Sequence, residues 1–129
     1  MSDRILFIED EPVLRETCTF ALLEADFQVI EVSNCLEAIL ELDNLCPDLV
    51  ILDEDLPVVD GWETCHLLHS AFGLPVIILG DNYSEEIWDR MLQMGADFYL
   101  RMPFSQLELV SRTRAILQRY KKKEKLSQL

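Results

Sequence analysis

The sequence predicts an α/β protein built on one doubly wound parallel sheet of five strands. Three observations predict it. Short apolar runs alternate with stretches of helical periodicity, the mark of β-α-β units. The first, third and fourth runs are almost wholly apolar, as strands are when helices cover both faces of a sheet. Right-handed crossovers and short connections then favour a doubly wound order. A chain of 129 residues, half of them hydrophobic, fits one domain with a proper core.

The elements follow in order. A strand is expected near residues 4–8 and a helix near 12–25, where Pro12 suits the first turn and Leu14, Cys18, Ala21, Leu22 and Ala25 form an apolar face. A strand near 28–32 precedes a helix near 35–44, whose start carries Asn34 and Glu37 at capping-box spacing. A strand near 48–52 leads to a helix near 61–71, punctuated by Asp60-Gly61 and Phe72-Gly73. A strand near 75–79 and a helix near 84–94 come next. The last pair is a strand near 97–100 and a helix near 104–120, with Ser105 and Glu108 again at capping-box spacing. Residues 121–129 read as a basic tail or linker after a domain spanning 1–120. No internal repeat or low-complexity stretch interrupts this order.

Composition narrows the function classes. A net charge of −13 argues against nucleic-acid binding by this domain alone and fits a cation-binding pocket. The charge is uneven: Arg112, Arg114, Arg119, Lys121, Lys122, Lys123 and Lys125 crowd the end. That end reads as a helix C-terminus complementing its dipole and a solvated tail, or as a linker into a further domain. No apolar run approaches the roughly 20 residues of a membrane span, and Met1-Ser2-Asp3-Arg4 has no signal-peptide pattern, so a cytosolic protein is expected. Cys18, Cys35, Cys46 and Cys65 lack metal-ligand spacing and read as buried reduced thiols.

The chemistry-bearing residues lie at strand ends. Glu9, Asp10 and Glu11 follow Ile5-Leu6-Phe7-Ile8, and Asp53 follows Leu49-Val50-Ile51-Leu52. In a parallel sheet both runs end at one edge, where ligands of such sheets bind. Carboxylates meeting there suit a hard divalent cation with positions left open for a phosphate. Asp53 to Pro57, Gly80 to Asn82 and Arg101 to Pro103 belong to the same edge.

The segments ILFIEDEP (5–12), PDLVILDEDLPVVDG (47–61), LPVIIL (74–79) and GADFYLRMPF (95–104) together resemble the receiver domain of two-component response regulators, over about residues 4–120. The last segment and SRTRA (111–115) are most similar to the subfamily whose receivers precede a winged-helix DNA-binding domain. The resemblance implies a flavodoxin-like (βα)5 sheet of strand order 2-1-3-4-5 and a signalling module rather than an enzyme. It implies that Asp53 is the phosphoacceptor. Asp10 and Asp53 would hold Mg²⁺ with the Asp55 backbone carbonyl, with Glu9 close behind. Phosphoryl transfer to a carboxylate needs positioning and charge neutralisation more than a base, which suits such a pocket.

Two positions depart from the family pattern. Gly80 stands where the family has the Ser or Thr that bonds the phosphoryl group, and Met102 where it has the Lys that neutralises it. Arg101 is adjacent to Met102, but neighbouring strand side chains point to opposite faces. Glu54 replaces a usually apolar residue and adds to the crowd of acids with Asp55 and Asp81, so raised carboxylate pKa values are expected. Tyr99 matches the aromatic switch position, and the room above Gly80 favours an inward tyrosine or leaves a partly exposed one with no switching role.

The resembled subfamily dimerises through its fourth helix, fifth strand and fifth helix. Asp97, Glu108, Arg112 and Arg114 match charged positions of that face, while Trp88 and Phe98 put aromatics in place of charges. The expectation is a homodimer with a more apolar contact. Two readings follow. One is an atypical receiver that controls transcription through dimerisation and a C-terminal DNA-binding domain, with little dependence on aspartyl phosphorylation. The other is a Mg²⁺-dependent phosphoacceptor served by a histidine kinase at Asp53. A flavodoxin-type cofactor carrier is disfavoured, because Glu9-Asp10-Glu11-Pro12 would repel a phosphate unless a metal intervened.

Overall fold

The computed structural model describes residues 2–128. Its elements run β1 (Arg4–Ile8), α1 (Pro12–Glu24), β2 (Gln28–Val32), α2 (Cys35–Leu45), β3 (Leu49–Asp53), α3 (Gly61–Phe72), β4 (Val76–Gly80), α4 (Glu86–Met94), β5 (Phe98–Arg101) and α5 (Gln106–Ser127). All four strand pairings are parallel, and the sheet order is β2-β1-β3-β4-β5, as expected. β3, β4 and β5 end one residue later than the sequence suggested. Asp53 and Gly80 are register partners of Leu79 and Arg101, so these residues belong to the sheet and not to the loops beyond it.

The pleat sorts side chains into two cores, since alternate strand residues face opposite ways. Leu6, Ile8, Val50, Leu52, Val76, Ile78 and Tyr99 pack toward α2, α3 and α4, with Ala38, Trp62 and Ile87. Ile5, Phe7, Leu49, Ile51, Ile77, Leu79 and Leu100 pack toward α1 and α5, with Leu22, Leu109 and Ile116. The central strands are sealed on both sides, which is why their sequences do not alternate.

The starts of α1, α2, α3 and α5 are set by side-chain caps, and α4 has none. Asn34 accepts from the Glu37 amide at 2.8 Å, Asp60 from the Glu63 amide at 2.9 Å, and Ser105 from the Glu108 amide at 3.0 Å. α1 is capped by Glu11, whose two carboxylate oxygens accept from the Val13 and Leu14 amides at 3.0 and 2.7 Å. Glu11 is therefore committed to its own helix and is withdrawn from the acid pocket.

The basic stretch is helical where a tail was expected. α5 is 22 residues long and runs through Lys121–Lys125 without a break. The segment contains no Gly or Pro, and Lys, Glu, Leu and Gln are good helix formers. Two contacts tie the extension back: Lys121 pairs with Asp3 at 2.9 Å, and Tyr120 donates to Asp97 Oδ1 at 2.7 Å. Asp97 in turn accepts from the Val76 amide at 2.8 Å, so one carboxylate joins α5, β4 and the start of β5. Tyr120→Phe removes a hydrogen bond to a charged acceptor and is expected to lower unfolding free energy by about 1–3 kcal/mol in urea denaturation.

Candidate functional site

The sheet brings the ends of β1 and β3 to one edge. Asp53 is 7 % exposed, and its Oδ1 accepts from the Asp55 amide at 2.9 Å, which folds the chain back over the strand end. Gly61 keeps that turn tight. A Cβ there would overlap the Asp53 carbonyl oxygen and lie 2.5 Å from the Glu54 Cα, so only glycine lets α3 start this close. Asp10 and Asp55 are exposed at the rim of the pocket.

Glu9 is the most constrained acid. Its side chain is 0 % exposed, its Oε1 accepts from the Glu11 amide at 3.3 Å, and its Oε2 is buried without a partner. Burial, and then the neighbouring Asp53 carboxylate, which repels a second charge and favours a protonated neighbour, push its carboxyl up to about 9. With both groups ionised Oε2 faces only negative charge. One proton on Glu9 turns that repulsion into a hydrogen bond with Asp53. Asp55 is raised as well, by partial burial and then by Asp53, Glu54, Asp81 and Asp10. The ion pairs among the described residues involve other carboxylates, Arg15 with Glu31, Arg119 with Asp97 and Lys121 with Asp3, though Arg15 also donates to the Glu9 backbone carbonyl at 3.0 Å.

Met102 does not relieve this. It turns to the α1–α5 side, into a cleft of about 430 Å³ with Leu14, Cys18, Phe104 and Leu109. Arg101 points the other way, as strand alternation requires. Its guanidinium lies 4.8 Å from the centre of the Tyr83 ring, and Tyr83 donates to the Met102 carbonyl at 2.9 Å. Arg101 is thus stacked outside the pocket.

Glu54 and Tyr99 form a second centre on the α3–α4 side of the sheet. Strand parity puts Glu54, Gly80 and Tyr99 on that face, away from Asp53. Tyr99 is buried and inward. Its hydroxyl donates to Glu54 Oε2 at 2.7 Å and accepts from the Asn82 amide at 2.9 Å. Glu54 Oε2 also accepts from the Asp81 amide at 3.2 Å, and its Oε1 from the Trp62 indole at 3.3 Å. The Tyr99 and Trp62 rings stack at 5.8 Å and 7°. Burial is the main cause that raises the Tyr99 phenol, so it keeps its proton and donates. Gly80 is what makes room: a Cβ there would overlap both Glu54 Oε2 and the Tyr99 hydroxyl. The sequence showed Glu54 as one more acid beside Asp53. Its parity, opposite to that of Asp53, was the signal that it belongs with Tyr99.

The expected partner face is assembled in part. Trp88, Phe98 and Glu108 line a shallow cleft of about 290 Å³ with Ile87, Met91 and Tyr99, and Arg112 lies 4.5 Å over the Phe98 ring. Two charged residues do not join it. Asp97 is turned inward, where it holds Val76, Tyr120 and Arg119. Arg114 sits on the other flank of α5, over the Phe27 ring at 5.9 Å and donating to the Ala25 carbonyl at 3.3 Å. Helical spacing separates it from Arg112 by about 200°, so the two cannot share a face.

The raised Glu9 pKa fixes the sign of a pH dependence. The stabilisation from neutral Glu9 is fully present below the ordinary carboxylate range and is lost as pH rises through about 9. Metal-free protein is expected to lose thermal stability across that window, and Glu9→Gln to flatten the loss. Thermal melts at stepped pH in chelator check both.

The family model of the response regulator receiver domain matches residues 5–114. The phosphate regulon transcriptional regulatory protein PhoB of Klebsiella pneumoniae is 38% identical over 122 residues, which cover 92% of this chain and 53% of that protein. The DNA-binding response regulator MtrA of Mycolicibacterium smegmatis is 35% identical over 119 residues, covering 92% and 52%. The chain therefore spans about half the length of the curated relatives it matches. Among solved structures, the signal receiver domain of a signal transduction histidine kinase from Syntrophus aciditrophicus superposes with a TM-score of 0.82 at 32% identity, covering 91% of each chain. A receiver domain protein from Methanospirillum hungatei shares the fold, with a TM-score of 0.87 at 22% identity over 95% of this chain and 99% of that one. With Asp53 at the end of β3, acids at the end of β1 and the family match across nearly the whole sheet, this chain belongs to the response regulator receiver family.

Proposed function

We propose that this domain is an atypical receiver, one that regulates through its partner surface with little or no dependence on phosphorylation of Asp53. The observation that carries the reading is the charge balance of the pocket. Asp53 is bordered by Glu9, Asp10 and Asp55, and among the described residues no cationic side chain pairs with any of their carboxylates; Arg15 reaches only the Glu9 backbone carbonyl, at 3.0 Å, and its ion pair is with Glu31. An incoming phosphoryl group brings further negative charge to a site without the lysine that Met102 replaces or the hydroxyl that Gly80 replaces. Phosphoryl transfer rests on positioning and electrostatic stabilisation, so both losses act on the step itself.

Among the described residues no three His, Cys, Asp or Glu side chains are grouped to hold a metal ion, so a divalent cation would rest on two carboxylates and a backbone carbonyl, beside the unpartnered Glu9 Oε2. Asp10, Asp53 and the Asp55 backbone carbonyl would hold Mg²⁺, with water completing its shell. Bound there, the ion would supply neutralising charge. That arrangement favours the second reading, a Mg²⁺-dependent phosphoacceptor served by a histidine kinase. Intact mass after incubation with a small phosphodonor, with and without Mg²⁺, separates the two. No adduct is expected under conditions that label an ordinary receiver. A Mg²⁺-dependent adduct that Asp53→Asn abolishes would establish the second reading.

The output surface is the face of α4, β5 and α5, used by a homodimer. Trp88 is 65 % exposed and Leu92 83 %, and Leu107 is exposed on the adjoining turn of α5. Exposed aromatics and leucines on one face need a partner, and tryptophan is enriched among residues that dominate interface energies. Control of transcription would then pass through a DNA-binding domain of the kind carried by the PhoB and MtrA relatives. Trp88→Glu is expected to weaken self-association by about 30-fold or more, read by sedimentation equilibrium.

A further inference from the structure

We propose that Glu54 is a resident anion that holds the β4–α4 loop and Tyr99 inward, so that the Trp88–Phe98 face keeps one form without any group being added to Asp53. The inference rests on the reading above that output does not follow aspartyl phosphorylation, and it names the residue that makes this possible.

The geometry is specific. One carboxylate collects three donors from three different elements: the Trp62 indole of α3, the Asp81 amide after β4, and the Tyr99 hydroxyl of β5. The Tyr99 oxygen passes the connection on by accepting from the Asn82 amide. The loop between β4 and α4 is thus gripped at two successive amides, once by Glu54 directly and once through Tyr99. Arg90 of α4 lies 5.5 Å over the Trp62 ring, on the same side of the sheet. Tyr99 itself lines the cleft with Trp88, Met91 and Phe98, so its position shapes the partner face.

Chemistry explains why an acid does this. A carboxylate accepts several hydrogen bonds at once, and bonds to an ionised acceptor are the stronger kind. An apolar residue at 54 would leave the Asp81 amide and the Tyr99 hydroxyl without this acceptor. A side chain at position 80 would occupy the space that Glu54 Oε2 and the Tyr99 hydroxyl share. Glu54 and Gly80 are therefore two halves of one arrangement. Tyr99 makes these contacts in its inward orientation, and contacts made in one orientation alone are what bias a two-state element.

Amide hydrogen exchange by NMR tests the role directly. In the unmodified protein the Asp81 and Asn82 amides are expected to exchange slowly, and the Tyr99 ring to show through-space contacts to Trp62. Glu54→Leu is expected to speed exchange at both amides by about tenfold or more and to remove the ring contacts. Amides at Leu6 and Cys18, on the far elements, serve as the control and are expected not to change. Glu54→Gln keeps an acceptor oxygen for Tyr99 and is expected to fall between. Unchanged exchange at Asp81 and Asn82 in folded Glu54→Leu would overturn the proposal. Should Glu54→Leu fail to fold, Gly80→Ala applies the same release from the other side, with the same expected and overturning results. No phosphate enters these readouts. A failed Glu54 role leaves the phosphodonor result standing, and an adduct at Asp53 beside intact Glu54 contacts would overturn only the phosphorylation-independent reading.

Discussion

Parallel pairing with a strict pleat is the constraint on which the rest of this structure depends. All four pairings run the same way, so β1, β3, β4 and β5 discharge their ends at one edge. The pleat then divides what arrives there. Asp53 and Glu54 are neighbours in the chain, but one joins the acid pocket and the other joins Tyr99 and Trp62. Met102 and Arg101 separate by the same rule, into the α1–α5 cleft and onto Tyr83. Two sites of different character are built from adjacent residues at no cost beyond alternation.

The two sites handle negative charge in opposite ways. Around Glu54 the charge is met by three donors, two of them held by ring packing. Around Glu9 and Asp53 each carboxylate has a single backbone amide and otherwise faces acids, so burial and repulsion raise the Glu9 carboxyl. A buried carboxylate without partners costs several kcal/mol, so neutralisation is the expected response.

Most of the fold was legible because its signals are local and repeated. Apolar runs of strand length, capping spacings at Asn34 and Ser105, and Gly61 and Gly73 at the ends of α3 all act within a few residues. The C-terminal limit of α5 was not. Its charge pattern reads as a tail, and the contacts that hold it, Lys121 to Asp3 and Tyr120 to Asp97, join residues distant in sequence. The site divides along the same line. Asp10, Asp53 and Glu9 fall at strand ends and announce themselves. The role of Glu11 as a cap, the inward turn of Asp97 and the separation of Arg114 from Arg112 depend on the direction of single side chains. Glu54 is the sharpest case. Its chemistry was visible as an extra acid, but its partners come from three elements and meet only in the folded chain.

Gly80 also carries a consequence for how this sequence can change over time. The space beside it is already filled by the Glu54 carboxylate and the Tyr99 hydroxyl, so a side chain at position 80 enters only if those side-chain ends move aside. Loss of Glu54 alone would strand an indole, an amide and a phenol. Substitutions at the two positions are therefore expected to be non-additive. What either position can accept is set by the residue standing at the other, because both draw on one small volume.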